Sequence, residues 1–246
     1  MLIRLLGTGD AVGTPKIGCK CPACTDAKNG GKSRRFRPCF LFSDGSYNVL
    51  IDTGPDLRSQ LLENDISDID AVIWSHSHRD HTGGFGDFWR VKNNVPVYGE
   101  KRVLDSVLRD FYFMTFERHD RALYEPFMIG EMEFTLFEVT HPPIDISTGI
   151  RIRHNGRSVI FTGDTSLDIP EKSLMLMENA DLLIADAIFP SRIRVHKHMN
   201  VDDAMELSRR LKAKQSIFVH LSHLLPPHDE AIKSYPLGYD GMTLEL

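Results

Sequence analysis

Seven residues, Ser75-His76-Ser77-His78-Arg79-Asp80-His81, follow directly on the apolar run Ala71-Val72-Ile73-Trp74. An unbroken apolar run of that length predicts a strand buried on both faces. Four potential metal ligands within six residues at its end predict a site, because the loops after strands carry function on a rigid scaffold. Imidazole suits zinc, iron, nickel and manganese, and a carboxylate adds preference for harder ions. His76 and His78, two apart, can share one side of an extended loop and grip one ion. Asp80 and His81 are then free to face a second. The fold must therefore cover a strand on both faces and end it at a polar edge.

The rest of the composition is ordinary for a soluble globular protein. The chain has 246 residues, 41% hydrophobic and 26% charged, with a net charge of −5. This excludes disorder, collagen and a disulfide mini-protein. No apolar run approaches the ~18 residues of a membrane helix. Met1 to Gly7 is too short for a signal peptide, so a cytoplasmic protein is expected. Net negative charge argues against a broad nucleic-acid footprint, which is normally basic. Length allows one or two domains at roughly 150 residues each. With no repeat, low-complexity tract or long linker, one domain over residues 1–246 is the simplest account. Cys19, Cys21 and Cys24 lie within six residues, and Cys39 stands apart. Without a secretion signal, such a cluster reads as metal-binding or redox-active before it reads as disulfide. Cys39 is read as core.

Strands and helices alternate along the chain. Strands are expected at Leu2–Leu6, Phe40–Phe42, Val49–Ile51, Ala71–Trp74, Val95–Tyr98, Glu133–Val139, Gly149–Arg153, Ser158–Phe161, Leu182–Ala185 and Ser216–His220. Asp44-Gly45 and Asn155-Gly156 are hairpin turns, the second a strong type I′ signal. A helix is expected from Pro55, at its favoured first position, to about Leu62. Others are expected near Lys101–Asp110 and over Asp202–Leu211. Leu174, Met175, Leu176 and Met177 read as core and helix packing. So many strands with single intervening helices fit two stacked sheets with helices outside better than one doubly wound sheet.

With Thr82-Gly83-Gly84 after it, the histidine cluster resembles the metallo-β-lactamase superfamily motif. Four further motifs of that superfamily match in order, each at a strand end: Asp52 in Leu50-Ile51-Asp52-Thr53-Gly54, His141 after Val139-Thr140, Asp164 in Phe161-Thr162-Gly163-Asp164-Thr165, and His220 after Ile217-Phe218-Val219. The resemblance covers nearly the whole chain. It implies a four-layer αββα sandwich and a dinuclear site. One ion would take His76, His78, His141 and Asp164; the other would take Asp80, His81, His220 and the same Asp164. A carboxylate has two oxygens and can bridge two cations. Two divalent ions about 3.5–4 Å apart hold a water between them and lower its pKa toward ~7. Asp52 would orient the ligating loops; read alone, it is as readily a cap for the Pro55 helix.

The N-terminal stretch resembles one branch, the cyclic-phosphate phosphodiesterases of phosphonate utilisation. The resemblance rests on Leu6-Gly7-Thr8-Gly9-Asp10, Gly18-Cys19-Lys20-Cys21-Pro22-Ala23-Cys24 and Arg34-Arg35-Phe36-Arg37-Pro38-Cys39. It implies a structural zinc on the loop at about residues 18–25, held by Cys19, Cys21, Cys24 and His223, three residues after His220. A closed Cys₃His set suits structural zinc. The resemblance also makes His198 the residue that contacts the substrate phosphate and protonates the leaving oxygen, work that suits an imidazole. Asp186, at a strand end, is a candidate to orient His198, or equally a buried helix cap. Arg34, Arg35 and Arg37 form a short basic run that reads as a solvated face before it reads as a screen for an anionic substrate. His119, His154 and His228 have no ligand spacing.

The expected function is metal-dependent hydrolysis of a small cyclic phosphodiester, such as phosphoribosyl 1,2-cyclic phosphate or a 2′,3′-cyclic nucleotide. His198, Asp80 and Asp164 would carry the chemistry, with Mn, Zn or Fe in the active site. A ribonuclease Z-like tRNA 3′-end endonuclease is the first rival. Only 22 residues separate His141 from Asp164, where that branch inserts its tRNA-clamping arm, and the net charge is −5. Both weigh against it. A metal-holding accessory protein or another ester hydrolase is the second rival. The partner expected is a small anionic substrate rather than a membrane, and relatives are often homodimers. The pocket loops 86–92 and 109–126 would set the substrate.

Overall fold

The computed structural model describes residues 1–246. In chain order the elements are β1 (Leu2–Gly7), α1 (Pro22–Lys28), β2 (Cys39–Ser43), β3 (Asn48–Ile51), α2 (Leu57–Glu63), β4 (Ala71–Ile73), α3 (Arg79–Thr82), β5 (Val95–Gly99), α4 (Lys101–Val107), β6 (Phe116–Asp120), β7 (Pro126–Ile129), β8 (Met132–Val139), β9 (Ser147–His154), β10 (Arg157–Phe161), α5 (Glu171–Met177), β11 (Leu182–Asp186), α6 (Val201–Leu211), β12 (Gln215–Val219), α7 (His228–Ala231) and β13 (Met242–Glu245). One sheet runs β13-β1-β2-β3-β4-β5-β6 and the other β12-β11-β10-β9-β8-β7. Both are mixed. Strands β3 to β6 are parallel to one another, as are β10 to β12, and the remaining pairs are antiparallel.

The period-two alternation of strands explains why the central ones are apolar throughout. Val49, Ile51, Ala71 and Ile73 face Val159, Phe161, Leu182 and Ile184 in the core between the sheets. Their neighbours point the other way. Leu50, Val72 and Trp74 pack under Leu57, Val103, Leu104 and Val107 of the helices outside the first sheet. Ile160, Leu183 and Phe218 pack under Leu174, Met177, Val201, Ala204 and Leu207 outside the second. Three cores between four layers are the αββα sandwich of the metallo-β-lactamase fold. Helix α6 shows how the outer layer is specified. Asn200 and Asp203 form a reciprocal capping box at its start, worth about 1 kcal/mol. Val201, Ala204, Leu207 and Leu211 bury one stripe, and Lys212 closes the helix in the left-handed conformation.

Several elements differ from the sequence reading. Pro55 lies in a turn before α2 rather than at its first position, and Asp56 is the residue before the helix. Asp56 turns its carboxylate to Arg37 instead of capping. The segment Lys101–Asp110 is α-helical only to Val107 and tightens to a 3₁₀ turn at Leu108–Phe111. The stretch 109–126 is not all loop, because it contains β6, whose Phe-Glu-Arg-His-Asp sequence carries no apolar alternation. The hairpin at Asn155-Gly156 is as expected, with φ of 48° and 74°.

No helix is long and apolar enough to cross a membrane.

Candidate metal centre and active site

The edge where the parallel strands end collects the chemistry. β3 leads into Asp52, β4 into Ser75 and His76, β8 into His141, β10 into Asp164, β11 ends on Asp186, and β12 leads into His220. Asp52 and His220 turn the chain there with φ of 60° and 59°, a left-handed conformation uncommon outside glycine and concentrated at functional sites. Gly163 takes φ of 60° beside Asp164, and a Cβ there would lie 2.8 Å from the Thr148 carbonyl oxygen, so only glycine fits.

Two groups of ligand-type atoms form around one carboxylate. His76, His78, His141 and Asp164 lie with ligand atoms within 4.8 Å of one another, and so do Asp80, His81, Asp164 and His220. Asp164 Oδ2 is 3.7 Å from His76 Nε2, 3.8 Å from His141 Nε2, 3.3 Å from His81 Nε2 and 3.4 Å from His220 Nε2. Asp80 Oδ2 reaches His81 at 3.4 Å and His220 at 3.5 Å. All but His78 and Asp80 are buried.

Neighbouring groups hold Nδ1 of His76, His81 and His141, which turns Nε2 of each ring toward the centre. His81 Nδ1–H donates to Asp52 Oδ2 at 2.7 Å. Asp52 also accepts from the Ser75 amide and hydroxyl, so it braces the ligating loop and caps no helix. His76 Nδ1 lies 3.1 Å from Ser75 Oγ. His141 Nδ1–H donates to the Lys197 carbonyl at 2.9 Å. His76 Nε2 and His81 Nε2 are then left buried with no hydrogen-bond partner, an arrangement that is costly unless a cation takes them. Such backing hydrogen bonds are typical of metal-ligating histidines.

Charge tells the same story. Burial pushes His76 well below the usual histidine range and His141 down to about 4, so both are neutral donors at pH 7. Burial would raise Asp164, but His220 and His81 outweigh it and hold the carboxylate ionised. Burial also works against charge on His81, yet Asp164, Asp52 and Asp80 hold it well above its usual range. The pocket therefore concentrates anionic charge that calls for compensating cations. The donor set of nitrogen and oxygen atoms fits divalent zinc, manganese or iron.

His198 sits beside this pair of groups. Its ring lies 4.6 Å from that of His141 and stacks on His220 at 5.1 Å. Its Nδ1–H donates to Asp186 Oδ2 at 2.7 Å, which leaves Nε2 for a ligand. Asp186 thus orients His198 and is no helix cap. Its backbone N–H is itself held by Thr162 Oγ1.

A third group lies on the N-terminal loop. Cys19, Cys21, Cys24 and His223 have ligand atoms within 4.8 Å of one another. His223 Nδ1 is 3.5 Å from both Cys19 Sγ and Cys21 Sγ. The amides of Cys21, Cys24 and Lys16 point at Cys19, Cys21 and Cys24 sulfur respectively; the Cys21 amide draws the Cys19 thiol below its usual range, while burial pushes Cys24 up to about 11. The chain between His220 and His223 is tied to the N-terminal segment, because Leu221 N–H donates to the Thr8 carbonyl and the Leu221 carbonyl accepts from Asp10 N–H. Cys39 is buried in the outer core and joins no cluster.

The arginine run is not the solvated face expected. Arg35 is buried and donates to Thr8 Oγ1, the Gly238 carbonyl and His228 Nδ1. Arg34 pairs with Glu63, and Arg37 with Asp56. Sequence reasoning also missed Ser75 and the Lys197 carbonyl. A serine inside the histidine cluster is a weak signal, and a main-chain acceptor leaves none.

Residues 47–221 match the family model described as a beta-lactamase superfamily domain. The chain belongs to the metallo-β-lactamase superfamily. It is a metal-dependent hydrolase, and among solved structures it is similar to a new diphosphatase from the PhnP family, at TM-score 0.87 and 29% identity over 100% of this chain and 97% of that one. Among curated sequences it is 29% identical over 252 residues to an octanoyltransferase of Porphyromonas gingivalis, over 97% of this chain; this chain spans 50% of that protein's length. It is 25% identical over 244 residues to the probable metallo-hydrolase YhfI of Bacillus subtilis, over 92% of this chain and 93% of that one.

Proposed function

We propose that this superfamily member hydrolyses a phosphoester bond in a small anionic molecule, a cyclic phosphodiester foremost. The observation that carries this is His198, a buried imidazole held by Asp186 and set against both ligand groups that share Asp164. Ester hydrolysis at phosphorus needs a nucleophilic water on one side and a proton for the leaving oxygen on the other.

In this reading His76, His78, His141 and Asp164 would hold one divalent cation, and Asp80, His81, Asp164 and His220 a second. When bound, the cations supply Lewis acidity toward phosphoryl oxygens and toward water. Either Asp80 or Asp164 accepts and holds the proton of the attacking water. As the bond from phosphorus to the leaving oxygen breaks, His198 gives its Nε2 proton to that oxygen. Asp186 keeps the other proton on Nδ1 and stabilises the imidazolium beforehand. Cys19, Cys21, Cys24 and His223 would hold a structural zinc that anchors the loop to the segment carrying His220.

A second reading, cleavage of the P–O–P bond of a diphosphate diester, draws support from the likeness to the PhnP-family diphosphatase. The same residues serve, with a phosphate monoester as the leaving group. A tRNA endonuclease is disfavoured: the 22 residues between His141 and Asp164 are taken up largely by the β9–β10 hairpin, and the chain carries net charge −5. Backbone binding to tRNA needs a basic surface.

The test is leaving-group dependence. For metal-loaded protein, His198→Ala should lose about 10²–10⁴ in kcat on a cyclic nucleotide, whose alkoxide needs a proton. It should lose about tenfold or less on bis(p-nitrophenyl) phosphate, whose phenolate does not. Equal losses on both substrates would remove His198 as the acid and with it the basis of this reading.

A further inference from the structure

The imidazoles of the centre are not all held in the same way. His81, His141 and His76 are braced at Nδ1, by Asp52 at 2.7 Å, the Lys197 carbonyl at 2.9 Å and Ser75 Oγ at 3.1 Å. His220 Nδ1 is buried with no hydrogen-bond partner, and Asp186 Oδ1 stands off from it at 3.6 Å. The His220 main chain is also left-handed, at φ 59°. A residue other than glycine keeps that conformation only where its surroundings over-determine it. The aim of this ring is therefore set through its backbone, by whatever grips the residue beside it.

That grip comes from the N-terminal segment. Leu221 N–H donates to the Thr8 carbonyl at 2.8 Å, and the Leu221 carbonyl accepts from Asp10 N–H at 3.3 Å. Thr8 is itself pinned from the far end of the chain. Its N–H and its hydroxyl both donate to Asp240 Oδ1 at 2.8 Å. Asp240 Oδ2 accepts from Phe36 N–H. Buried Arg35 donates from Nη1 to Thr8 Oγ1 at 2.6 Å. The Thr8 hydroxyl thus bridges a guanidinium and a carboxylate, accepting from one and donating to the other. Thr8 is fully buried, where such charge-assisted bonds are strong and costly to break. With its amide and its side chain both held, Thr8 has little freedom to move its carbonyl off Leu221.

We propose that Asp240 is a positioning residue for the centre: through Thr8 and Leu221 it sets the direction of His220 toward Asp80 and Asp164. His220 Nε2 lies 3.4 Å from Asp164 Oδ2 and 3.5 Å from Asp80 Oδ2. The proposal rests on the reading of His220 as a ligand of the second cation. Asp240 bonds to Thr8 and Phe36 and to none of the ligands, so its loss acts on one ligand group. His76 and His141 have braces of their own. Asp240→Asn keeps the shape but sets an amide NH₂ against either the Thr8 or the Phe36 N–H. Thr8→Val keeps the shape and the carbonyl but removes the bridging hydroxyl.

The experiment compares full-length wild type with Asp240→Asn, Thr8→Val and Thr8→Ser, each stripped by a chelator and titrated calorimetrically with Mn²⁺. This ion prefers the nitrogen and oxygen donors of the centre to thiolates. Electron paramagnetic resonance on the same samples separates an exchange-coupled Mn²⁺ pair from an isolated ion. Asp181→Asn, remote from the centre, controls for a loss of stability alone. Asp240→Asn and Thr8→Val should bind the first Mn²⁺ as wild type does. They should bind the second about tenfold more weakly and trade the coupled signal for that of an isolated ion. Thr8→Ser, which keeps the hydroxyl, should restore both. If Asp240→Asn does not fold, the Thr8 pair decides. Equal weakening of both cations, the same change in Asp181→Asn, or a wild-type coupled signal in Asp240→Asn and Thr8→Val would overturn the proposal. Wild type that forms no coupled pair would instead remove the reading of His220 as a ligand, and the proposal with it.

Discussion

Asp186 holds His198 through a 2.7 Å hydrogen bond from the imidazole Nδ1–H to Oδ2, while its other oxygen lies 3.6 Å from Nδ1 of His220. One buried carboxylate therefore backs both the proposed acid and a proposed ligand. Asp186→Asn keeps the size but loses the charge that favours imidazolium. It should lower kcat by about 10–100-fold and shift the limb of the pH–rate profile that reports His198. A pH profile and metal analysis on the same variant check this; unchanged pH dependence with lower metal content would make Asp186 a support of His220 alone.

Asp164 is within 3.8 Å of four imidazole nitrogens and is the only carboxylate shared by both ligand groups. Asp164→Ala should remove the bridge, lower the metal bound at the centre by about one equivalent or more, and abolish turnover. Elemental analysis after desalting reads the first effect independently of activity.

Gly163 prepares that carboxylate. Gly163→Ala adds a left-handed alanine, about 1–2 kcal/mol, and a Cβ pressed on the Thr148 carbonyl. Denaturant unfolding should show a loss of about 2–3 kcal/mol, with weaker metal binding, because relief of the clash moves Asp164.

The Cys cluster makes a separate prediction. Cys21→Ser should cost one metal equivalent per chain and lower Tm by roughly 4–8 °C, the effect of about 2 kcal/mol in a chain of this size. Turnover should fall through His220, whose chain is tied to this loop at His223. Full metal retention would mean that the thiols are not ligands.

Away from the centre, Asp181 tests the electrostatics of the fold. Lys214 first, then the Ser158 amide and Arg157, hold its carboxylate down at about 2. A depressed carboxylate stabilises the folded state above its unfolded value near 3.8, and that stabilisation is lost as pH falls through about 2. Because Lys214 and Arg157 are largely exposed, the effect is discounted to about 1 kcal/mol. Asp181→Asn should therefore lower the urea midpoint at pH 5–7, and the gap to wild type should shrink only below about pH 4.

The histidine cluster was legible because its four ligands are local and follow an apolar strand. His141, Asp164 and His220 were legible as polar residues at the ends of apolar runs, and the sandwich brings those ends together. Residues whose work is tertiary left less trace. Arg35 looked like one charge in a solvated run, but a pocket made by Thr8, Gly238 and His228 buries it. The edge strand β6 was hidden because only one of its sides meets a neighbouring strand and its sequence is charged. Pro55 suggested a helix start two residues early, since its fixed φ suits the preceding turn equally well.

The most direct test of the central claim is turnover by purified protein of 2′,3′-cyclic nucleotides, phosphoribosyl 1,2-cyclic phosphate, bis(p-nitrophenyl) phosphate, a diphosphate diester and a 3′-extended pre-tRNA, with metal counted on the same sample. The expected result is cleavage of a small phosphoester with about three metals per chain, two at the shared Asp164 and one on the cysteines. A fully metallated protein that leaves every phosphoester intact, or one that cleaves only the pre-tRNA, would contradict it.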